Sequence, residues 1–138
     1  MRDLLLQRRR SAPDVALLQV APFDRYPTAA LRPLAGHADR LRVPEGTALV
    51  RAHHRADEFL VVLTGSVVVH DDGRPTGPRL GPGTQIGGAE LLDGARHRRT
   101  LVAGPDLEVL VVYGPAFRWA ARTLPGFTTA LHPPVGAG

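Results

Sequence analysis

The chain has no cysteine, so neither a disulfide framework nor a thiolate metal site is open to it. It has no lysine either: all 17 basic residues are arginine, set against 13 acids, for a net charge of +4. Arginine without lysine, in a background rich in Ala, Gly and Pro, reads as a GC-rich coding bias. The basic balance is therefore weak ground for a nucleic-acid partner, and none is expected. Long apolar runs are also missing. Leu4-Leu5-Leu6 is too short for a secretory leader and precedes Arg8-Arg9-Arg10 instead of following it. No window approaches a membrane span. A cytoplasmic protein is expected, with Arg8 to Arg10 a solvated helix face or a frayed start. There is no Gly-x-Ser-x-Gly elbow and no Walker loop. With 138 residues the chain suffices for one domain with its own core.

What is present is concentrated between Leu80 and Ala103. A Gly-rich turn opens onto a short apolar segment, and an Arg/His cluster then leads into a strand. That order suits an anion, with backbone N–H groups at a helix start followed by side-chain cations.

The first third reads as helical. Asp14 caps Val15 to Val20, which Pro22 ends, and Thr28 caps Ala29 to Ala35, closed by Gly36 with Pro33 awkwardly inside. From Asp39 the apolar period becomes two. Thr47 to Ala52, Glu58 to Leu63, Ser66 to His70, Arg99 to Ala103 and Leu107 to Tyr113 read as strands. Pro44-Glu45-Gly46 and Thr64-Gly65 read as turns, and Asp71-Asp72-Gly73 and Gly77-Pro78 as loops. Pro115 starts a last helix, Ala116 to Leu124, stopped by Pro125-Gly126. Three segments are expected: 1–38 helical, 39–127 a β-roll with its closing helix, and 128–138 a loose tail.

From about Phe23 to Phe127, some three quarters of the chain, the sequence resembles the cyclic-nucleotide-binding domain of the catabolite activator and protein kinase A regulatory families. Arg42-Val-Pro-Glu-Gly-Thr-Ala-Leu49 is similar to the family's opening strand and turn. Asp57 to Val69 resembles its central hairpin, Leu80-Gly-Pro-Gly83 the turn before its phosphate cassette, and Phe117 to Pro125 its first closing helix. Gly46, Gly65, Gly83 and Gly87 fall where the family uses glycine. The resemblance implies a mainly β fold: a jelly-roll β-barrel flanked by short N-terminal helices and one C-terminal helix. It also implies a ligand site at the cassette positions Gly87, Gly88, Ala89, Glu90, Leu91, His97, Arg98 and Arg99.

In the family a cassette glutamate accepts the ribose 2′-hydroxyl and an arginine pairs with the cyclic phosphate. The matching positions here are Gly88 and His97, and the alanine two beyond the arginine becomes Arg99. A charge-assisted contact contributes about 1.5–3 kcal/mol, so losing two weakens a site by roughly 10²- to 10⁴-fold. Glu90 replaces the lost acid only if the local helix is rotated.

A cupin-like metal site is the competing, enzymatic reading, from Gly46, His53, His54, Glu58 and Gly65. Adjacent histidines on a strand point to opposite faces, and no histidine closely follows Gly83, so a polar turn at His53 to Asp57 is the better account. The expected function is thus a non-catalytic module without cofactor. It senses a cyclic nucleotide or other anionic small molecule weakly, or acts purely by binding another protein. The partner surface expected is Arg96, Arg98 and Arg99 with Phe117 and Trp119; Phe127 is a further apolar anchor. No helix-turn-helix, kinase or channel sequence accompanies the roll, so its signal is expected to pass to a separate protein.

Overall fold

A computed structural model describes residues 14–133 and 135; the Arg8–Arg10 run lies outside them. Asp14 caps Val15–Leu18 as expected, its Oδ1 accepting from the Ala16 N–H at 2.9 Å. The turn is a short 3-10 helix and stops before Val20. Helix α1 spans Thr28–Ala35, and Thr28 lies inside it, because Pro27 occupies the capping position. Pro33 is accommodated within the helix.

Eight strands follow: β1 Ala38–Val43, β2 Ala48–Val50, β3 Glu58–Thr64, β4 Val67–Asp71, β5 Arg74–Leu80, β6 Gln85–Ile86, β7 Thr100–Ala103 and β8 Leu107–Tyr113. They form two antiparallel four-stranded sheets, ordered β1-β8-β3-β6 and β2-β7-β4-β5. The jelly roll implied by the sequence is present, but as a sandwich of two sheets and not as a closed barrel. Helix α2 (Gly88–Asp93) sits between β6 and β7, and α3 (Gly114–Thr123) follows β8.

Two strands escaped the sequence reading. Arg74–Leu80, read as loop because of Gly77-Pro78, is the edge strand β5, where only one side of the backbone needs partners and proline is tolerated. Its ladder with β4 shifts register between Val68 and His70. β6 has only two residues, too few to show a period.

The central strands β3 and β8 of the sheet β1-β8-β3-β6 are buried on both faces along most of their length. Leu60, Val62, Val109 and Val111 face the second sheet, while Phe59, Val61, Leu110 and Val112 face the helices. This is why β3 and β8 read as near-continuous apolar runs, as strands covered on both sides do. On the helical side all four phenylalanines, Phe23, Phe59, Phe117 and Phe127, are buried. Phe59 and Phe117 lie 4.7 Å apart between centroids, and Phe117 and Phe127 5.6 Å. The segment after α3 packs back as well. Phe127 joins this core, Thr128–Ala130 forms a 3-10 turn, and the His132 N–H donates to Gln85 Oε1 at 3.0 Å.

The turn from β3 to β4 requires glycine. Gly65 has φ +76, and a Cβ there would stand 2.4 Å from the Asp106 carbonyl oxygen. Both the strained backbone and the clash act against any side chain. Gly65→Ala is expected to lower stability by about 2–4 kcal/mol in equilibrium denaturation; a loss within a few tenths of a kcal/mol would mean that the β8 entry can move aside.

Candidate functional site

The loop from β5 to β7 builds the site. Gly87 precedes α2 with φ +92, and a Cβ would lie 2.5 Å from the Glu58 carbonyl oxygen. Glycine thus lets the loop close against β3. The Leu91 N–H then bonds the Gly87 carbonyl at 3.0 Å, and Gly94, also left-handed, ends the helix.

The rotation of α2 decides which side chains face inward. A Cβ at Gly88 would meet the rings of Phe59 and Phe117 at 3.3 and 3.4 Å, so this position points at the phenylalanine core. Glu90 points instead into the small space between α2, β2 and β7, with Val50, Ile86, His97, Arg98 and Arg99 around it. The acid that lines this space is therefore Glu90, while position 88 is turned away from it. A glutamate placed at 88 would be crowded against rings and would not restore a polar contact.

Glu90 and His97 are both more than nine-tenths buried, and His97 Nδ1 stands 3.3 Å from Glu90 Oε2. The second carboxylate oxygen, Oε1, is buried with no hydrogen-bond partner among the described residues. The space left is about 10 Å³, with Val135 of the C-terminal segment on its wall. That is room for one water at most.

The arginines do not form one patch. Arg99 Nη1 pairs with Asp71 Oδ2 on β4. Arg96 Nη1 donates to the His53 carbonyl at 2.9 Å, and Arg98 is exposed beside the cassette. Ala89 follows Gly88 in the first turn of α2, and Leu91 is buried in the helical core. The expected partner anchors need correction. Phe117 and Phe127 are core residues, packed between β3 and the N-terminal segment, and offer no surface. Trp119 alone of the three is partly exposed, beside an apolar groove of about 560 Å³ lined by Pro33, Leu34, His37, Tyr113 and Pro115.

His53 and His54 lie in a turn and not on a strand, His53 with φ +70. The His53 N–H bonds the His97 carbonyl at 2.8 Å, and the His97 N–H bonds the His54 carbonyl at 2.9 Å. Among the described residues no three His, Asp or Glu side chains gather into a metal-binding group. A second cavity, of about 390 Å³, opens on the other side of His97, between this turn and Arg96. The sequence reading missed it, because the pairing of Arg55 with Arg96 across a bridge is a long-range contact with no local signature.

Two measurements test these contacts. His97→Ala leaves a buried carboxylate without a partner and is expected to destabilise by about 1–3 kcal/mol. The double change Glu90→Leu with His97→Leu removes both polar groups and should cost less than that single change; an equal or larger cost means the pair itself stabilises the fold. At Asp71, the Arg99 hydrogen bond and then that from Thr76 hold the carboxyl below its ordinary value. A depressed folded-state pKa adds stability above the unfolded value and loses it as pH falls through the folded one. Asp71→Asn should therefore be mildly destabilising at neutral pH, and the difference should vanish as pH drops below the carboxylate range. A gap unchanged down to acid pH would show that the pair contributes nothing by charge.

No curated protein matches the chain. Among solved structures, a cAMP-binding acyltransferase from Mycobacterium smegmatis is 32% identical over 82% of this chain and 36% of that one, with a TM-score of 0.66. A cyclic nucleotide-binding-like protein from Brucella abortus is 29% identical over 80% of this chain and 99% of its own, with a TM-score of 0.61. The cAMP-bound regulatory domain of Toxoplasma gondii PKA shares the fold at 17% identity, over 83% of this chain and 45% of that one, with a TM-score of 0.66. The chain thus spans under half the length of the acyltransferase and of the kinase regulatory domain. The cyclic nucleotide-binding domain family matches residues 40–123, more than half of the chain. With the two sheets, the short helix after Gly87 and the closing helix α3 in their places, the chain belongs to the cyclic nucleotide-binding domain family.

Proposed function

We propose that this domain is a non-catalytic regulatory module of the cytoplasm that binds cyclic nucleotides weakly and passes its signal to another protein. The carrying observation is the buried Glu90–His97 contact. His97 stands where the family's sequence pattern has the phosphate-binding arginine, and Glu90 brings a carboxylate to its side. An internal acid thereby occupies the place of the ligand's own anion. An incoming cyclic phosphate meets the Glu90 carboxylate at close range, which is repulsive, and finds about 10 Å³ of free space. Binding requires Glu90 to swing away and Val135 to leave the wall, and both displacements subtract from affinity. The cAMP-binding acyltransferase of M. smegmatis and the cAMP-bound domain of T. gondii PKA make a cyclic nucleotide the reference ligand. Output to a partner is supported by the apolar groove at Trp119, where an aromatic is partly exposed.

Calorimetric titration with cAMP and cGMP is the test. No saturation is expected at micromolar ligand, given the roughly 10²- to 10⁴-fold weakening from two altered contacts. His97→Arg should strengthen binding, more so when combined with Glu90→Gln, which removes the competing charge. Sub-micromolar cAMP affinity in the unaltered protein would overturn the reading.

A further inference from the structure

We propose that the cavity between the Arg51–Arg55 turn and the Arg96–His97 segment is a second anion site, fitted to a small phosphomonoester of about nucleoside monophosphate size. Its volume, about 390 Å³, lies within the range of small-molecule sites. Gly87, Gly88, Ala89, Glu90, Leu91, Arg98 and Arg99 take no part in its lining, and it shares only His97 with the cassette.

Charge placement carries the proposal. Arg55 and Arg96 face one another directly across an antiparallel bridge, and both line the cavity. Like charges set opposite each other in a β-pair are unfavourable unless an anion lies between them. Neither guanidinium makes an ion pair with a carboxylate among the described residues. Arg96 spends one of its five N–H donors on the His53 carbonyl, which fixes the guanidinium plane and leaves the others available. The two backbone hydrogen bonds between His53–His54 and His97 hold the turn in register, so the site is formed before a ligand arrives.

The ligand class follows from the rest of the lining. Two guanidinium forks suit a phosphate better than a single carboxylate, and a monoester carries close to two charges at neutral pH where a cyclic diester carries one. Leu49, Val50 and Leu60 give an apolar floor for a flat body, and Asp57 lines the cavity as an acceptor for hydroxyl or amino groups.

The test is calorimetry on the full chain with 5′-AMP, inorganic phosphate and cAMP. The expected result is saturable 5′-AMP binding that phosphate competes away and salt weakens, with cAMP at least about tenfold weaker. Arg55→Gln and Arg96→Gln should each weaken 5′-AMP by at least about tenfold, and Arg98→Gln by less than about twofold. Arg55→Lys keeps the charge and the backbone bridge but loses the fork, so reduced affinity at an unchanged melting temperature supports the site independently of any folding defect. No binding of 5′-AMP at millimolar concentration overturns the proposal. So does binding that survives both glutamine changes, or binding lost only through Glu90 and His97, which places the ligand in the cassette. Tight cAMP binding abolished at His97 defeats the weak-cassette reading alone and leaves the Arg55 and Arg96 result to decide this one.

Discussion

Strand β3 is the member on which everything else is hung. Its side chains alternate between two cores, Phe59 and Val61 into the helical layer and Leu60 and Val62 into the space between the sheets. Its first residue, Glu58, presents the carbonyl against which Gly87 closes. A slip of one residue would exchange the two cores and put rings where the sandwich holds valines. β8 locks the register from one side, pairing Phe59 with Val112 and Leu60 with Val111, and β6 from the other, pairing Leu60 with Ile86. The cassette therefore inherits its position from a strand that is buried on both faces and has little freedom to shift.

That inheritance gives the cassette backbone reasons for its shape that do not involve a ligand. Gly87 is retained by the approach of the Glu58 carbonyl, a reason independent of any nucleotide. Gly88 is small because Phe59 and Phe117 crowd it. With no side chain there to reach the pocket, the acid at Glu90 meets His97 instead, and two polar groups that would be costly to bury singly are buried together. Such a pair is weak evidence for stabilisation, because desolvation offsets much of the attraction. Under the proposed function its consequence is electrostatic, since an acid already in the pocket disfavours a second anion there.

Much of the fold was legible in the sequence, and the reasons are specific. The runs in β3 and β8, the Thr64-Gly65 turn, the Asp14 cap and the Pro115 helix start are all local signals that tertiary packing reinforced. β5 was lost because proline and glycine argue against a strand unless it is known to lie at an edge, and edge position is a property of the whole sheet. The partner anchors failed for a related reason. Phe117 and Trp119 are two residues apart on one helix and look equivalent in sequence, but a separation of two places them on different faces, one in the core and one at the rim. Within the cassette, spacing assigns Gly88 and His97 to the family's glutamate and arginine positions, while the direction of Gly88 depends on how α2 lies against the rings.

The two pockets share one wall. His97 lines the small cassette space with its buried face, while the residue before it, Arg96, opens onto the larger cavity and His97 itself reaches both. Its backbone is clamped to the His53–His54 turn by hydrogen bonds of 2.8 and 2.9 Å, and its imidazole meets Glu90 of α2. His97 thus joins the Arg51–Arg55 turn to α2, alongside the contact of α2 with β3. Helix α2 in turn packs against α3, whose Trp119 borders the apolar groove. Contiguity of this kind is a route by which occupancy at the arginine cavity reaches the groove at α3; coupling itself further requires two arrangements of α2 that differ in affinity for the ligand.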